Sequence, residues 1–134
     1  MIRAITVDDL PWVMSLGHRR YSKTYDPGAA LIVLTQAMRS ALAIRADNAF
    51  LVAHTTTAIT HPGQRVCHVL AVCAEEGHHW QAIKLLRASL DWAQEKSCTQ
   101  WWIDSETGHQ VGSLAARVGA MPMPRYVIDI GGPK

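Results

Sequence analysis

Nine consecutive residues, Val66 to Ala74 (VCHVLAVCA), contain a single ionisable ring, His68, among otherwise apolar side chains. A strand with such a run has no face it can leave in water. It therefore predicts the centre of a sheet that is covered on both sides. The next segment narrows the choice further. A short linker leads into Trp80–Lys96, where Ile83, Leu86, Leu90 and Ala93 form one helical stripe that Leu85 and Trp92 widen. A buried strand handing over to a long amphipathic helix belongs to a layered α/β arrangement. With 134 residues, 49% of them hydrophobic, the chain is long enough for one such domain and rich enough for its core.

The flanking sequence fills in the layers. Ile2–Val7 alternates like a short strand, and Asp8 or Asp9 can cap the helix after it, with Pro11 in its first turn. Leu10, Val13, Met14, Gly17 and Tyr21 continue that helix until Asp26-Pro27-Gly28 breaks it. A second helix is predicted through Leu31, Leu34, Met38, Ala41 and Leu42, ending at Asp47-Asn48. Residues 50–60 are β-branched and aromatic and read as one strand or two, before the turn His61-Pro62-Gly63-Gln64. After the long helix, Gln100–Asp104 reads as a strand. Thr107 and Gln110 resemble a capping box for a helix that stops at Gly119, and Arg125–Ile130 reads as a last strand. The expectation is one domain over residues 1–134, a mixed and mostly antiparallel sheet with helices on both faces.

Bulk properties exclude several classes. The net charge of +2 is scattered, and its densest cluster, His18-Arg19-Arg20, reads as a solvated helix face, so nucleic acid is not an expected partner. No run approaches the roughly 20 apolar residues of a membrane span, and the N-terminus carries no cleavage signal. Three cysteines, Cys67, Cys73 and Cys98, make an odd number, so a reducing, cytoplasmic setting fits better than a disulfide framework. Cys67 and Cys73 are six apart, which on a regular strand puts both on one face but roughly 20 Å apart at about 3.3 Å per residue. No metal is expected. Trp101 and Trp102 are neighbours on a strand, so they point to opposite faces and make no shared stacking platform. Apolar surface at Trp12 or Trp92 would mark a partner face.

The order of elements resembles the GNAT family of N-acetyltransferases over nearly the whole chain. MIRAITVDDLPWVMSLG resembles the opening strand and helix, LLRASLDWAQEKSCTQWWID the coenzyme-side helix and its following strand, and GSLAARVGAMP the last helix. The family's signature is Val-x-Pro, two residues, Arg or Gln, then Gly-x-Gly-x-Gly or Ala. Here Val72 matches the valine, Ala74 stands for proline, Gly77 for Arg or Gln, His78 for the first glycine, Trp80 for the central one, and Ala82 for the last. The resemblance implies that acetyl-CoA is held by Val72, Ala74, Gly77, His78, His79, Trp80, Gln81 and Ala82. A pyrophosphate would rest on the unpaired N–H groups of the helix start.

The departures bear on activity. Trp80 puts an indole where close backbone approach is needed, and Glu76 adds negative charge where an anion would land. Many family members carry a tyrosine four residues before the terminal glycine as general acid; here that position is Ala115. A general base would lie on the central strands, where His68 and His54 are the candidates and His68 the first choice. Two functions follow from the resemblance. One is a small acyltransferase of weak or absent activity, acting on a small-molecule or protein amine. The other is a non-catalytic structural or interaction protein in a larger assembly, similar to the small GNAT-like virion proteins of short-tailed phages.

Overall fold

The computed structural model describes residues 1–20, 26–57, 63–104 and 111–122. Among the described residues five strands form one sheet in the order β1-β2-β3-β4-β5: β1 Arg3–Ala4, β2 Leu42–Arg45, β3 Ala49–Thr57, β4 Arg65–Ala74 and β5 Gln100–Ile103. Every neighbouring pair is antiparallel except β4 and β5, which run parallel because a helix, α3 (His79–Glu95), crosses between them. Two helices, α1 (Leu10–Arg20) and α2 (Pro27–Ser40), cover one face. α3 and the short α4 (Val111–Arg117) cover the other.

Alternation along β3 divides the core. Leu51 and Ala53 pack under α3 with Leu85 and Leu86, all four fully buried, while Phe50 and Val52 pack under α1 and α2 with Leu16 and Leu34. Each such leucine contributes about 2 to 3 kcal/mol by leaving water. β4 departs from this alternation. Val52 pairs with Ala71 but Ala53 pairs with Val69, so Leu70 is an extra residue, a β-bulge. Before it, Cys67 and Val69 face α3; after it, Val72 does, while Cys73 faces α1 and α2. The two cysteines therefore lie on opposite faces, contrary to the even-spacing expectation, because one inserted residue reverses every later side chain.

Other expectations are refined. Asp26, not merely a helix breaker, caps α2 by accepting from the Ala29 N–H at 3.2 Å, with Pro27 as the first helical residue. α2 ends at Ser40, and Leu42–Arg45, predicted as helix, is the strand β2. The first predicted strand shrinks to two residues. The cap that follows is Thr6 rather than Asp8 or Asp9: the Asp9 carboxylate accepts from the Thr6 N–H at 2.8 Å across a 3-10 turn, Val7–Asp9. β3 continues unbroken from Ala49 to Thr57. α4 closes with Gly119 in the left-handed conformation (φ 89°), and the Ala120 N–H bonds back to the Ala115 carbonyl at 3.0 Å. The Thr107–Gln110 cap and the strand predicted at Arg125–Ile130 lie outside the described residues.

Candidate functional site

The bulge divides β4 into two halves. Up to Val69 it pairs with β3 on one edge and β5 on the other; the β5 register ends at Val69 with Ile103. Beyond Leu70 it is paired with β3 alone among the described strands. The Glu75 N–H donates to the Asn48 carbonyl at 2.8 Å, toward β3. Main-chain groups alternate sides along a strand, so those of Val72 and Ala74 point the other way, into the gap that β5 leaves. That gap holds a small cleft, about 20 Å³, lined by Val72, Cys73, Ala74, His79 and Ala82 together with Leu114 of α4 and Arg20 of α1. An amide-bearing chain could pair there as an added strand.

The linker after β4 is a tight turn. The His78 N–H bonds the Glu75 carbonyl at 3.0 Å, with Gly77 in the left-handed region at φ 81°. An arginine at position 77 would be strained there, so the turn itself requires this glycine. α3 begins at His79; the Gln81 N–H bonds the His78 carbonyl at 3.0 Å, while the N–H groups of His79 and Trp80 precede the first helical hydrogen bond. His78 and His79 are half-buried, and Ala82 is buried against the cleft. The Gln81 side chain is committed elsewhere: it is 5% exposed, accepts from the Asn48 N–H at 2.6 Å and donates to the Asn48 side chain. Trp80 is 52% exposed and is absent from the cleft lining; the Lys84 ammonium sits 4.7 Å over its ring. The indole expected near the phosphate surface thus turns along its own helix.

Of the basic cluster predicted to face solvent, His18 and Arg19 are exposed and Arg20 is half-buried. Arg19 reaches the Glu75 carboxylate at 3.5 Å, and Arg20 Nε donates to the Ala74 carbonyl at 3.0 Å. Glu75, rather than the exposed Glu76, is the structured acid. Its carboxylate is held below its usual range by donation from the Asn48 amide, then from the Trp12 indole and Arg19. Trp12 is not a free apolar surface: it packs edge-on against Phe50 and beneath the Arg45 guanidinium, 3.7 Å from its ring. Trp92 packs on the α3-side core.

His68 lies on β4 two residues before the bulge, on the sheet face opposite α3. Its Nε2 is 3.2 Å from an Asp104 carboxylate oxygen just past β5. His54, its cross-strand partner on β3, lies with ring centroids 5.7 Å away, and Trp102 follows at 6.4 Å on β5. Burial, and then the neighbouring His68, push the His54 pKa down. Trp102 is 44% exposed, whereas the Trp101 indole turns inward and donates to Ser89 on α3 at 2.8 Å. Ala115 stands on α4 where the resemblance places a proton donor, and it offers no such group. Burial raises the Cys67 thiol to about 12. Among the described residues no three His, Cys, Asp or Glu side chains are grouped to hold a metal, and no helix is long and apolar enough to cross a membrane.

No protein-family model matches the sequence, and no curated protein matches it. Solved structures do. The apo aminoglycoside 6'-N-acetyltransferase AAC(6')-IG from Acinetobacter haemolyticus superposes with a TM-score of 0.76 at 15% identity, covering 100% of this chain and 99% of its own. AAC(6')-Iy, solved with the bisubstrate analog CoA-S-monomethyl-acetylneamine, gives 0.74 at 14% identity over 99% and 98%. A transcriptional regulator from Bacillus halodurans gives 0.77 at 13% identity over 97% and 98%. At these identities the likeness is one of architecture, and the architecture is the GNAT acetyltransferase fold.

Proposed function

We propose that this chain is an N-acyltransferase that takes an acetyl group from acetyl-CoA and passes it to an amine, with His68 as general base. The observation that carries this reading is the half-open β4. Its bulge ends the pairing with β5, turns the Val72 and Ala74 main chain into a cleft, and aims that cleft at the start of α3. The coenzyme supplies an acetyl thioester when bound. Val72 and Ala74 would pair with its amide arm, and the first-turn N–H groups of α3, at His79 and Trp80, would face its phosphates.

Asp104 fixes the ring of His68. With the Nε2 proton donated to the carboxylate, Nδ1 carries the lone pair and can take a proton from an attacking amine. Ala115 supplies no acid, so solvent protonates the departing thiolate and takes from His68 the proton that the amine gave up. A calorimetric titration with acetyl-CoA, followed by an amine screen read by thiol release, tests this. His68→Ala should lower the rate about 100-fold or more with little change in coenzyme affinity. Absence of binding at millimolar coenzyme would sink the proposal. A second reading, a non-catalytic protein acting through a partner in an assembly, draws support from the Ala74 carbonyl being already engaged. It expects no such binding.

A further inference from the structure

Arg20 is the last residue of α1, and acyl-transfer chemistry has no use for it. Its Nε donates to the Ala74 carbonyl at 3.0 Å, and it lines the cleft together with His79. Its neighbour Arg19 takes the nearby Glu75 carboxylate. Among the described residues no carboxylate lies within ion-pair distance of the Arg20 guanidinium. A partly enclosed cation thus rests on a neutral carbonyl, and that carbonyl is one of the two main-chain acceptors β4 presents to the cleft.

Any ligand that adds as a strand must take the Ala74 carbonyl from Arg20. A neutral ligand would leave the guanidinium with one hydrogen bond fewer. An anionic ligand offers it a better partner than the one it loses, since a guanidinium bonds an anion more strongly than a peptide carbonyl. We propose that Arg20 is a selectivity residue for this edge, excluding neutral amide-bearing chains and admitting those that carry an anionic group within reach of α1. Resting on the coenzyme reading above, this assigns to α1 the cation that the turn at Gly77 cannot hold. It also makes the plug and the anion contact one side chain in two positions.

The test uses coenzyme A and pantetheine, which share the amide arm while pantetheine lacks the phosphates. Wild type should prefer coenzyme A strongly. Arg20→Ala should weaken coenzyme A about tenfold or more, and strengthen pantetheine by a similar factor because the carbonyl is freed. Arg20→Gln keeps a neutral donor for the carbonyl; it should lose coenzyme A affinity without gaining pantetheine. If Arg20→Ala shifts both ligands by the same factor, Arg20 is a plug without selectivity and the inference is overturned while the coenzyme reading stands. An unchanged preference overturns it equally. If wild type and both variants bind neither ligand, the coenzyme reading itself falls and takes this inference with it.

Discussion

Asp9 is the residue whose removal should be felt farthest from its own position. Its side chain is 8% exposed. It accepts from both terminal nitrogens of Arg3, at 2.7 and 2.8 Å, from Arg45 at 3.0 Å, and from the Thr6 N–H at 2.8 Å. One carboxylate thereby joins β1, β2 and the entry to α1. Asp9→Asn keeps the shape and removes the charge. Arg3 is half in water, and screening leaves its share small. Arg45 is 15% exposed and would lose its counter-charge, although the Ala46 and Asp47 carbonyls and the Trp12 face still hold it. Breaking a well-buried pair costs about 3 to 5 kcal/mol, so this partly compensated one should cost roughly 2 to 3. For 134 residues that is a fall in melting temperature of about 7 to 10 °C near neutral pH.

The pH dependence gives the sharper check. Hydrogen bonds from Arg3, then from Thr6, hold the Asp9 carboxyl well below its usual range. A group depressed in the folded state stabilises above its unfolded pKa and loses that contribution as pH falls through the folded value. The gap between wild type and Asp9→Asn should therefore be flat from about pH 5 to 8 and shrink below about pH 3.9, the unfolded carboxyl value. Thermal melts of both proteins between pH 3 and 8 measure it. A gap that stays constant down to pH 3, or no gap at pH 7, would mean that the cluster is not what ties these elements together.

Three further outcomes are expected. Ser89→Ala removes a fully buried hydroxyl that donates to the Leu86 carbonyl at 2.6 Å and accepts the Trp101 indole N–H; leaving that N–H unpaired should cost roughly 1 to 3 kcal/mol in urea unfolding followed by tryptophan fluorescence. Gly77→Ala meets no atom within 4 Å of the added Cβ, so its cost should be the backbone's alone, about 1 to 2 kcal/mol, in the same assay. Cys67, raised to about 12 by burial, should resist a thiol reagent at pH 8 in the folded protein and react on unfolding, with Cys98, half-buried and less strongly shifted, reacting first.

The β4–α3 unit is legible in the sequence because its signals are long. A nine-residue apolar run and a helical stripe over about three turns each exceed what chance or a loop provides. β2 is not: Leu42-Ala43-Ile44-Arg45 is short, and Leu42 continues the spacing of Leu34 and Met38 in the helix before it. Nothing in Ala41 announces the break. The bulge is equally hidden, since Val69, Leu70, Ala71 and Val72 are all apolar and suit either face. That conceals the open edge, and with it the fate of Cys73. The position of the loop between β4 and α3 is plain, but the roles of its residues turn on contacts made across the fold. Gln81 answers to Asn48, Glu75 to Trp12 and Arg19, and Arg20 to a carbonyl 54 positions away. Residues at the end of an amphipathic helix carry no sequence mark that separates a solvated arginine from one turned inward.

The half-open β4 also has a signature in amide hydrogen exchange. In Cys67 to Val69, ladders on both edges hold the main chain, so successive amides should exchange slowly. Past Leu70, among the described residues, one edge alone is tied down. There the Cys73 and Glu75 amides point to β3 and should stay protected, while those of Val72 and Ala74 point into the cleft and should exchange quickly. The protein would thus show uniform protection that turns to alternation at one residue, and a ligand seated on the edge would restore uniformity.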